Sequence, residues 1–360
     1  MLGWRLRRSV GKLSLIIPTY NEKENLEKLV EGIFSSLDAA DFELIIVDDN
    51  SPDGTGTLAD ELAAKKGKMV VLHRQGKSGR GTAFLDGLNA ARGEIIGVMD
   101  ADLQHPPELL KTLLGIAEGG ADIVVASRYI EGGGAEGRTF FRDSVSKIAL
   151  WMSHLFLPQT RRVNDTQSGY FLFKRAAMEG VPFDVKGFTV LVGILAKGKY
   201  KTTVEVPYVF KLRAAGKSKL GSMEILGYVK LLLRLSEYRV LKFMAVGASG
   251  VAVNDGVLWL LVVEGGITPL AAAIASIEAS IVSNFALNNF WTFKDRRGQK
   301  DHQKLFKYHQ SVFFGALVNY VTFVLLVAAG SHFVAANTVG IVLGFFLNYL
   351  LSETFVWKHV

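Results

Sequence analysis

The sequence of 360 residues contains no cysteine. Disulfide bonds, thiolate metal sites and cysteine nucleophiles are therefore excluded, and the composition fits a reducing cytoplasmic environment. The seven histidines show no spacing typical of metal ligands, and we interpret His105 as a structural residue. The basic stretch from Met1 to Gly11 lacks an apolar core, so we do not expect it to act as a secretory signal.

Two common nucleotide-binding motifs are also missing. Gly-Lys-Ser occurs at Gly76 and at Gly216, but neither copy has the upstream glycine that a Walker A motif requires. The segment 75–82 likewise does not match Gly-x-Gly-x-x-Gly. This glycine-rich segment either closes over a nucleotide or forms a tight turn between a strand and a helix, and we favour the turn.

Apolar residues make up 49% of the chain, and its mean hydropathy is +0.25. These values are too high for a purely soluble protein, so we expect a membrane portion. The net charge is +7, but the chain has no dense basic run with interleaved aromatic residues. We therefore expect phosphate substrates and anionic lipid headgroups as partners, and no nucleic acid.

The first third of the chain alternates short β-rich runs with helical patterns, which is typical of βαβ units on a parallel sheet. Polar segments follow three of these runs, beginning at Pro18, Asp48 and Asp100. Because open α/β sheets bind ligands at the carboxyl ends of their strands, we expect these segments to meet in one crevice. The predicted strands cover residues 13–17, 42–47, 69–72, 95–99 and 123–126.

Two acidic residues, Asp100 and Asp102, follow the fourth of these runs. Side chains at positions i and i+2 of a strand share a face, so both carboxylates can converge on one cation. Oxygen ligands of this kind suit Mg²⁺ or Mn²⁺, which in turn holds a substrate diphosphate. The alternative interpretation is a surface turn, since aspartate is common before proline-rich loops.

The last third of the chain contains four apolar runs, at residues 243–263, 270–290, 311–329 and 334–356. Each approaches the ~20 residues that span a bilayer, so we predict four transmembrane helices. The connection between the second and third runs is rich in Lys and Arg, whereas the other two connections have none. The positive-inside rule therefore predicts that this loop, the N-terminal domain and the C-terminus face the cytoplasm.

A faint internal repeat accompanies these runs, because Phe285-Ala286-Leu287-Asn288 is similar to Phe345-Phe346-Leu347-Asn348. It suggests a duplicated hairpin.

Two further segments, 140–156 and 223–241, are amphipathic and predict helices that lie in the headgroup layer. Ordinary surface helices with snorkelling basic side chains are the alternative. The large apolar residues that mix with basic ones there include Trp151, Phe156, Leu232 and Leu235.

Five motifs occur in order within residues 12–237. They are Pro18-Thr19-Tyr20-Asn21-Glu22, Asp48-Asp49-Asn50-Ser51-Pro52-Asp53-Gly54-Thr55, Asp100-Ala101-Asp102-Leu103-Gln104-His105-Pro106-Pro107-Glu108, Asp165-Thr166-Gln167-Ser168-Gly169-Tyr170 and Arg213-Ala214-Ala215-Gly216-Lys217-Ser218-Lys219-Leu220. Together they resemble glycosyltransferase family 2 enzymes of GT-A fold, specifically the dolichyl-phosphate (polyprenyl-phosphate) mannose synthases. Residues 238–360 resemble, on weaker motifs, the four-helix GtrA-like membrane module that often accompanies such enzymes.

The resemblance implies an α/β fold in residues 1–237, in which a Rossmann-like mixed sheet is flanked by helices and followed by interfacial amphipathic helices. Residues 238–360 would form a four-helix transmembrane domain. The chain would then be an integral cell-membrane protein with its catalytic domain on the cytoplasmic face. No obligate protein partner is evident.

The resemblance also implies a set of site residues. The nucleotide base and ribose would be held by Pro18, Tyr20, Glu22, Val47 and Asp49. The metal, Mg²⁺ or Mn²⁺, and the diphosphate would be held by Asp100, Asp102 and Gln104, with Ala101 in the donor site between the two acids. A loop containing Arg213 and Lys219 would close on the donor.

An acceptor phosphate is already ionised near neutral pH, so its reaction needs positioning and charge neutralisation more than a general base. We therefore predict arginines in the site. Arg128 follows the fifth predicted strand, and Arg142 and Ser146 are four residues apart on one face of the helix predicted at 140–156. These three residues are the predicted acceptor phosphate site, and Asp102 and Arg128 are the candidate catalytic residues.

The leading hypothesis is inverting, metal-dependent transfer of mannose from GDP-mannose to dolichyl (polyprenyl) phosphate, giving dolichyl β-D-mannosyl phosphate. One alternative is the same reaction with another sugar nucleotide, such as UDP-glucose, although Ser218-Lys219-Leu220-Gly221 favours mannose. A lipid-linked sugar translocator is a third, less favoured candidate, because ionisable residues within membrane spans suggest function. These residues can instead be buried packing contacts, and the complete set of transferase motifs argues against a pure transporter. The polar residues within the predicted spans include Asn254, Asp255 and Glu278.

Overall fold

The computed structural model describes residues 13–76, 79–137, 140–182, 189–211, 222–296 and 300–358. For residues 140–142 and 222–224 it describes the backbone only. The chain divides into two compact units, Met1–Leu235 and Ser236–Val360. The first is a layered α/β structure, and the second consists of long apolar helices.

The described strands of the first unit are β1 (Leu13–Thr19), β2 (Phe42–Asp48), β3 (Met69–His73), β4 (Ile95–Val98), β5 (Ile123–Ser127), β6 (Gly134–Ala135), β7 (Phe171–Lys174), β8 (Thr203–Pro207) and β9 (Val209–Phe210). Its described helices are α1 (Lys23–Ser36), α2 (Thr55–Lys66), α3 (Arg80–Ala90), α4 (Leu110–Glu118), α5 (Phe140–Phe156), α6 (Val190–Lys197) and α7 (Ser222–Leu235). The five predicted strands correspond to β1 to β5.

Within the described residues, the main sheet has the order β3-β2-β1-β4-β7-β5-β8, and β6 pairs with β9 separately. β1 pairs in parallel with β2 and with β4, whereas β7 lies antiparallel between β4 and β5. The fold prediction of a mixed sheet flanked by helices is confirmed. The expected parallel pairing in the first third of the chain is present between β1, β2, β3 and β4. β7 comes later in the chain and is antiparallel, because the chain enters it at the edge where β4 and β5 end.

Helices cover both faces of this sheet. Leu13, Leu15 and Ile17 of β1 point into one apolar core, which is completed by α1, α2 and α4. Ile16 and Val47 point into the other, which is completed by α3 and α6. Burial on both faces explains why these strands read as nearly continuous apolar runs and why polar residues begin only where the strands end.

The helix α7 ends earlier than the amphipathic pattern predicted. Glu237 and Tyr238 have φ angles of 53° and 58°, and this left-handed pair stops the helix before residue 241. The predicted interfacial faces also need correction, since Leu232, Leu235 and Phe156 are buried. Among the side chains that the structure describes on α5 and α7, the exposed large apolar ones are Ile148, Trp151, Ile225 and Leu226.

The second unit confirms the prediction of long apolar helices in the C-terminal region. The helices are α8 (Arg239–Trp259), α9 (Pro269–Leu287), α10 (Asp301–Ala328) and α11 (Phe333–Leu351). α8, α9 and α11 each continue into a short π-helical turn. Within the described residues, four helical segments are long and apolar enough to cross a membrane: Arg239–Glu264, Pro269–Thr292, Asp301–Ala328 and Phe333–Val356.

The two helix pairs of this unit repeat the same packing. A side chain at Gly250 of α8 would collide with Asn284 of α9, and a Cβ at Gly315 of α10 would lie 3.2 Å from Cβ of Asn348 of α11. Phe293 and Trp357 follow the two asparagines at the same distance along the chain. Their rings stack with centroids 4.5 Å apart. The contacts therefore favour a duplicated hairpin in which Asn284 corresponds to Asn348. This corrects the register that the sequence suggested, which paired Asn288 with Asn348.

Buried charges hold three segments of this unit together. Arg296 binds the Glu353 carboxylate and donates to the carbonyl oxygens of Glu353 at 2.7 Å and Trp357 at 2.8 Å. Arg239 donates to the Asp295 carboxylate at 2.7 Å and to Glu353 at 3.3 Å. The start of α8, the chain after α9 and the end of α11 thus share one charge network.

Candidate active site

The ends of β1, β2 and β4 lie side by side, because these strands are parallel neighbours. Thr19 is paired with Asp48 across β1 and β2, and the backbone N–H of Asp49 donates to the Thr19 carbonyl at 3.0 Å. The polar segments after the three strands consequently form one edge of the sheet, as the sequence predicted. This edge carries the predicted donor residues that the structure describes.

Several predicted donor residues have roles in the fold that limit how they could touch a nucleotide. The side chains of Val47 and Ala101 are buried in apolar cores, so only their backbone atoms are left for such a contact. The Glu22 carboxylate accepts from the Asn25 amide at 2.8 Å. Pro18 lines a small pocket that also contains Asp100, and Tyr20 is partly exposed.

Asp49 organises the glycine-rich segment. Its carboxylate accepts from Arg74 Nη1 at 2.6 Å and from the backbone N–H of Gly79 at 2.9 Å. Gly79 has a φ of +90°, a conformation that favours glycine, and α3 begins at the next residue. The described residues of this segment connect β3 to α3. Residues 77 and 78 lie outside the described part of the chain, so the choice between a turn and a loop that closes over a nucleotide stays a prediction.

Asp102 and Gln104 are positioned by an unusual turn after β4. Leu103, between them, has a φ of 59°, which is uncommon for a residue with a branched side chain and indicates local backbone strain. Asp102 is buried, and its Oδ1 accepts from the Gln104 N–H at 3.2 Å. The Gln104 side chain donates to the Lys211 carbonyl oxygen at 2.8 Å, which leaves its own oxygen as an acceptor.

These residues suit a divalent cation that a nucleotide helps to hold. Among the residues that the structure describes, no group of three or more His, Cys, Asp or Glu side chains could hold a metal alone. Mg²⁺ is commonly bound by one or two carboxylates together with substrate phosphates and water. Asp100 and Asp102 would supply the two carboxylates and Gln104 an amide oxygen, so the chemistry of these side chains fits the predicted cofactor.

Arg80, His105 and Gly169 lie against Asp100. Arg80 Nη1 lies 2.9 Å from its Oδ2, and His105 Nε2 lies 3.6 Å from the same oxygen. His105 is buried, and its Nδ1 is 3.1 Å from the Tyr208 hydroxyl. The third group is Gly169, where an added Cβ would lie 2.8 Å from Asp100 Oδ2. The carboxylate position therefore depends on the absence of a side chain at residue 169.

Substituting Gly169→Ala tests this dependence. The methyl group would force the Asp100 carboxylate to move, and misplacement of about 1 Å at a reacting site can lower turnover by roughly 10- to 100-fold. Gly115→Ala is the matched control, because an added Cβ there has no neighbour within 4 Å. Turnover and thermal stability should be measured for both variants. Unchanged turnover in Gly169→Ala would contradict the importance of this position.

Arg128 is held by a buried carboxylate that the sequence did not reveal as its partner. Its Nε and Nη2 each lie 2.7 Å from an oxygen of Asp165, and its backbone N–H donates to the same carboxylate at 3.0 Å. Its guanidinium also lies over the ring of Phe210. Burial opposes the charged form, but the hydrogen bonds and charge of Asp165 raise the pKa of Arg128.

The other predicted acceptor residues are only partly described. Ser146 accepts a hydrogen bond of 2.8 Å from the Tyr129 hydroxyl, which places it beside the residue that follows Arg128. The side chain of Arg142 lies outside the described residues, as do Arg213 and Lys219 entirely. The structure therefore brings Ser146 near Arg128 and leaves the other three as predictions.

Tyr228 of α7 connects two further parts of the site. Its hydroxyl accepts from Gln167 Nε2 at 2.5 Å and donates to the Ala149 carbonyl oxygen of α5 at 3.0 Å. Burial raises the pKa of this phenol to about 12, so it remains protonated and able to donate at neutral pH. The sequence analysis did not predict a role for Tyr228. Its partner Gln167 lies within one of the five motifs, and this was the one feature of the sequence that pointed to this part of the site.

Two family models match the chain. "Glycosyl transferase family 2" matches residues 14–181, and "GtrA/DPMS, transmembrane domain" matches residues 242–357. Glucosyl-3-phosphoglycerate synthase from Mycobacterium tuberculosis has a similar fold, with a TM-score of 0.50 and 21% identity over 63% of this chain and 80% of that one. The protein is therefore a membrane-embedded glycosyltransferase enzyme.

Relatives identify the family more closely. A dolichol-phosphate mannosyltransferase from Pyrococcus furiosus is 41% identical over 351 residues, which cover 96% of this chain and 99% of the relative. A polyprenol monophosphomannose synthase from Mycolicibacterium smegmatis is 36% identical over 227 residues, which cover 61% of this chain and 84% of the relative. The chain belongs to the polyprenyl-phosphate mannose synthase family of these enzymes, as the sequence motifs predicted.

Proposed function

We propose that this protein transfers mannose from GDP-mannose to dolichyl or another polyprenyl phosphate, with inversion at the anomeric carbon. The observation that carries the proposal is the loop before β7. Gly169 of this loop lies against Asp100, and Asp165 of the same loop holds Arg128. One loop thus joins the proposed donor carboxylates to the proposed acceptor arginine.

On the donor side, the proposed contacts are those of the sheet edge. A divalent cation held by Asp100, Asp102 and Gln104 would neutralise the diphosphate as it leaves. The nucleotide would lie near the ends of β1 and β2. Arg213 and Lys219, which lie outside the described residues, would place positive charge beside the diphosphate. The donor residues of this proposal are Pro18, Tyr20, Glu22, Val47, Asp49, Asp100, Ala101, Asp102, Gln104, Arg213 and Lys219.

On the acceptor side, an oxygen of the lipid phosphate attacks the anomeric carbon, and the bond from that carbon to the diphosphate breaks. Arg128 uses two of its N–H groups on Asp165, and a guanidinium has five. The remaining N–H groups, with Arg142 and Ser146, would grip the phosphate. Asp165 would act as a positioning residue, because it fixes the direction in which Arg128 donates.

The exposed apolar side chains of α5 and α7 support contact with a bilayer. Trp151 is 57% exposed and Ile148 is 56% exposed, beside the basic Lys147. This composition suits a helix surface that lies among headgroups. We accordingly propose a catalytic domain with interfacial helices in residues 1–237 and a membrane domain in residues 238–360.

The proposed orientation places the catalytic domain in the cytoplasm. The chain has no native cysteine, so single introduced cysteines can report it. We expect an impermeant thiol reagent to label Ser331→Cys in intact cells, because that connection lacks basic residues. Lys300→Cys, in the basic loop, should react only after the cells are opened. The reverse pattern of labelling would invert the proposed topology.

The transfer reaction can be tested with the full-length protein in detergent. Sugar-labelled GDP-mannose, UDP-glucose and GDP-glucose are each supplied with a polyprenyl phosphate, and label in the lipid fraction is measured. We expect labelled lipid from GDP-mannose at a rate far above the other two. Preference for another nucleotide sugar would refute the donor assignment, and no lipid labelling with any donor would refute the proposed reaction.

A further inference from the structure

Arg80 lies where a positive charge is expected to compete with the proposed metal. It is the first residue of α3, and its Nη1 is 2.9 Å from Oδ2 of Asp100. Both residues line the small pocket that Pro18 and Gly169 also line. The pocket is on the carboxyl side of β4, so Arg80 belongs to the same sheet edge as the proposed donor site.

The electrostatic environment of Arg80 is strongly negative. The charge of Asp100 raises the pKa of the Arg80 guanidinium, and Asp102 and Glu22 act in the same direction. These carboxylates come from the ends of β1 and β4, which the parallel pairing brings together. Carboxylates held this close favour any cation that can approach them.

The pairing of Arg80 with Asp100 is also one that can be broken. The Arg80 side chain is 43% exposed, whereas that of Asp100 is 16% exposed. The guanidinium is thus the more accessible member of the pair, so it can turn toward solvent while the carboxylate stays in place. The Arg128–Asp165 pair differs, because both of its members are buried.

We propose that Arg80 is a displaceable counter-ion of the cation site. In the nucleotide-free protein its guanidinium neutralises Asp100, and when the cation and the donor bind it leaves Asp100 and binds the donor diphosphate. The planar guanidinium suits both partners, since it can pair with carboxylate and with phosphate oxygens. This inference rests on the proposed cation at Asp100 and Asp102.

The physical consequence is a coupling between the cation and the nucleotide. Without nucleotide, Mn²⁺ must displace Arg80, so its binding is weakened. With a diphosphate present, Arg80 has a second partner and the penalty disappears. Arg80 would thereby favour joint binding of metal and nucleotide over binding of the metal alone. Couplings between two ligands commonly change affinity by about 5- to 150-fold.

The test is Mn²⁺ binding to the full-length protein in detergent, measured by electron paramagnetic resonance of free Mn²⁺ with and without GDP. In Arg80→Leu we expect affinity for Mn²⁺ alone to rise by roughly tenfold, and affinity for GDP at saturating Mn²⁺ to fall by roughly tenfold. Arg92→Leu is the matched control, because it removes the same charge just before β4, at the opposite end of that strand from Asp100. It should change neither affinity.

The outcomes separate this inference from the proposed function. Suppose that the wild type binds Mn²⁺ and that Arg80→Leu binds it with the same or lower affinity. This result would overturn the counter-ion role of Arg80 and leave the proposed metal site intact. An equal rise in Arg80→Leu and Arg92→Leu would also overturn it, since the effect would then be general charge. If the wild type bound no Mn²⁺ even with GDP, the proposed metal site would be refuted, and this inference with it.

Discussion

Asp102→Asn is expected to lower sugar transfer by roughly 10²- to 10³-fold, the usual cost of removing one electrostatic group from a reacting site. The substitution keeps the shape of the side chain and an oxygen that can still accept from the Gln104 N–H. What it removes is one negative charge facing the proposed cation. The fold should therefore persist while the affinity for metal and the turnover both fall.

Three measurements make this prediction specific. Initial rates in the presence of Mg²⁺ or Mn²⁺, Mn²⁺ affinity and thermal stability should be compared with those of Asp38→Asn, an exposed aspartate after α1. The control should behave as the wild type in all three. Chelation by EDTA should abolish the wild-type activity, and added metal should restore it. Full activity of Asp102→Asn in EDTA would refute the metal assignment.

Asp165→Ala is expected to destabilise the protein by about 3–5 kcal/mol, because it leaves the buried Arg128 guanidinium without its partner. The Asp165 side chain is 0% exposed and that of Arg128 is 8% exposed, so water cannot replace the lost carboxylate. Thermal unfolding of the full-length protein in detergent should show a fall in Tm on the order of 10 °C.

A surface pair provides the comparison for this variant. Asp143 pairs with Lys147 on α5 at 2.7 Å, with side chains 35% and 64% exposed, and Asp143→Ala should cost no more than about 0.5 kcal/mol. Adding Arg128→Met to Asp165→Ala should recover part of the lost stability, since the unpaired charge is then gone. Equal losses in Asp165→Ala and Asp143→Ala would contradict the account of a buried pair.

Local sequence patterns predicted the parts of this protein that depend on local structure. The strands β1 to β5 follow from short apolar runs bounded by polar residues, and the spanning helices follow from the length of their apolar runs. The antiparallel strand β7 did not follow. Its direction depends on where the chain returns after α5, and no periodicity within Phe171–Lys174 carries that information.

For the site, too, the features that depend on local sequence could be predicted and the long-range contacts could not. The position of Asp100 and Asp102 followed from the apolar run that precedes them. Their place on a shared sheet edge followed from the rule that the carboxyl ends of parallel strands meet at one edge. The long-range contacts of the site could not be predicted, because each joins residues that are far apart in the chain. These contacts are Arg128 with Asp165, Asp100 with Gly169, and Gln167 with Tyr228. The left-handed Leu103 was also unforeseeable, since leucine has no preference for that conformation.

The duplicated hairpin bears on how such a membrane domain could arise and assemble. A single helical hairpin would leave the aromatic ring that follows it, Phe293 in one copy and Trp357 in the other, exposed on one side. A second identical hairpin would be needed to cover that ring. Here both copies lie in one chain and their equivalent rings stack. Because each copy crosses the bilayer and returns, the second enters from the same side as the first. The chain therefore carries both halves of this contact, which two separate helix pairs would have to meet to form.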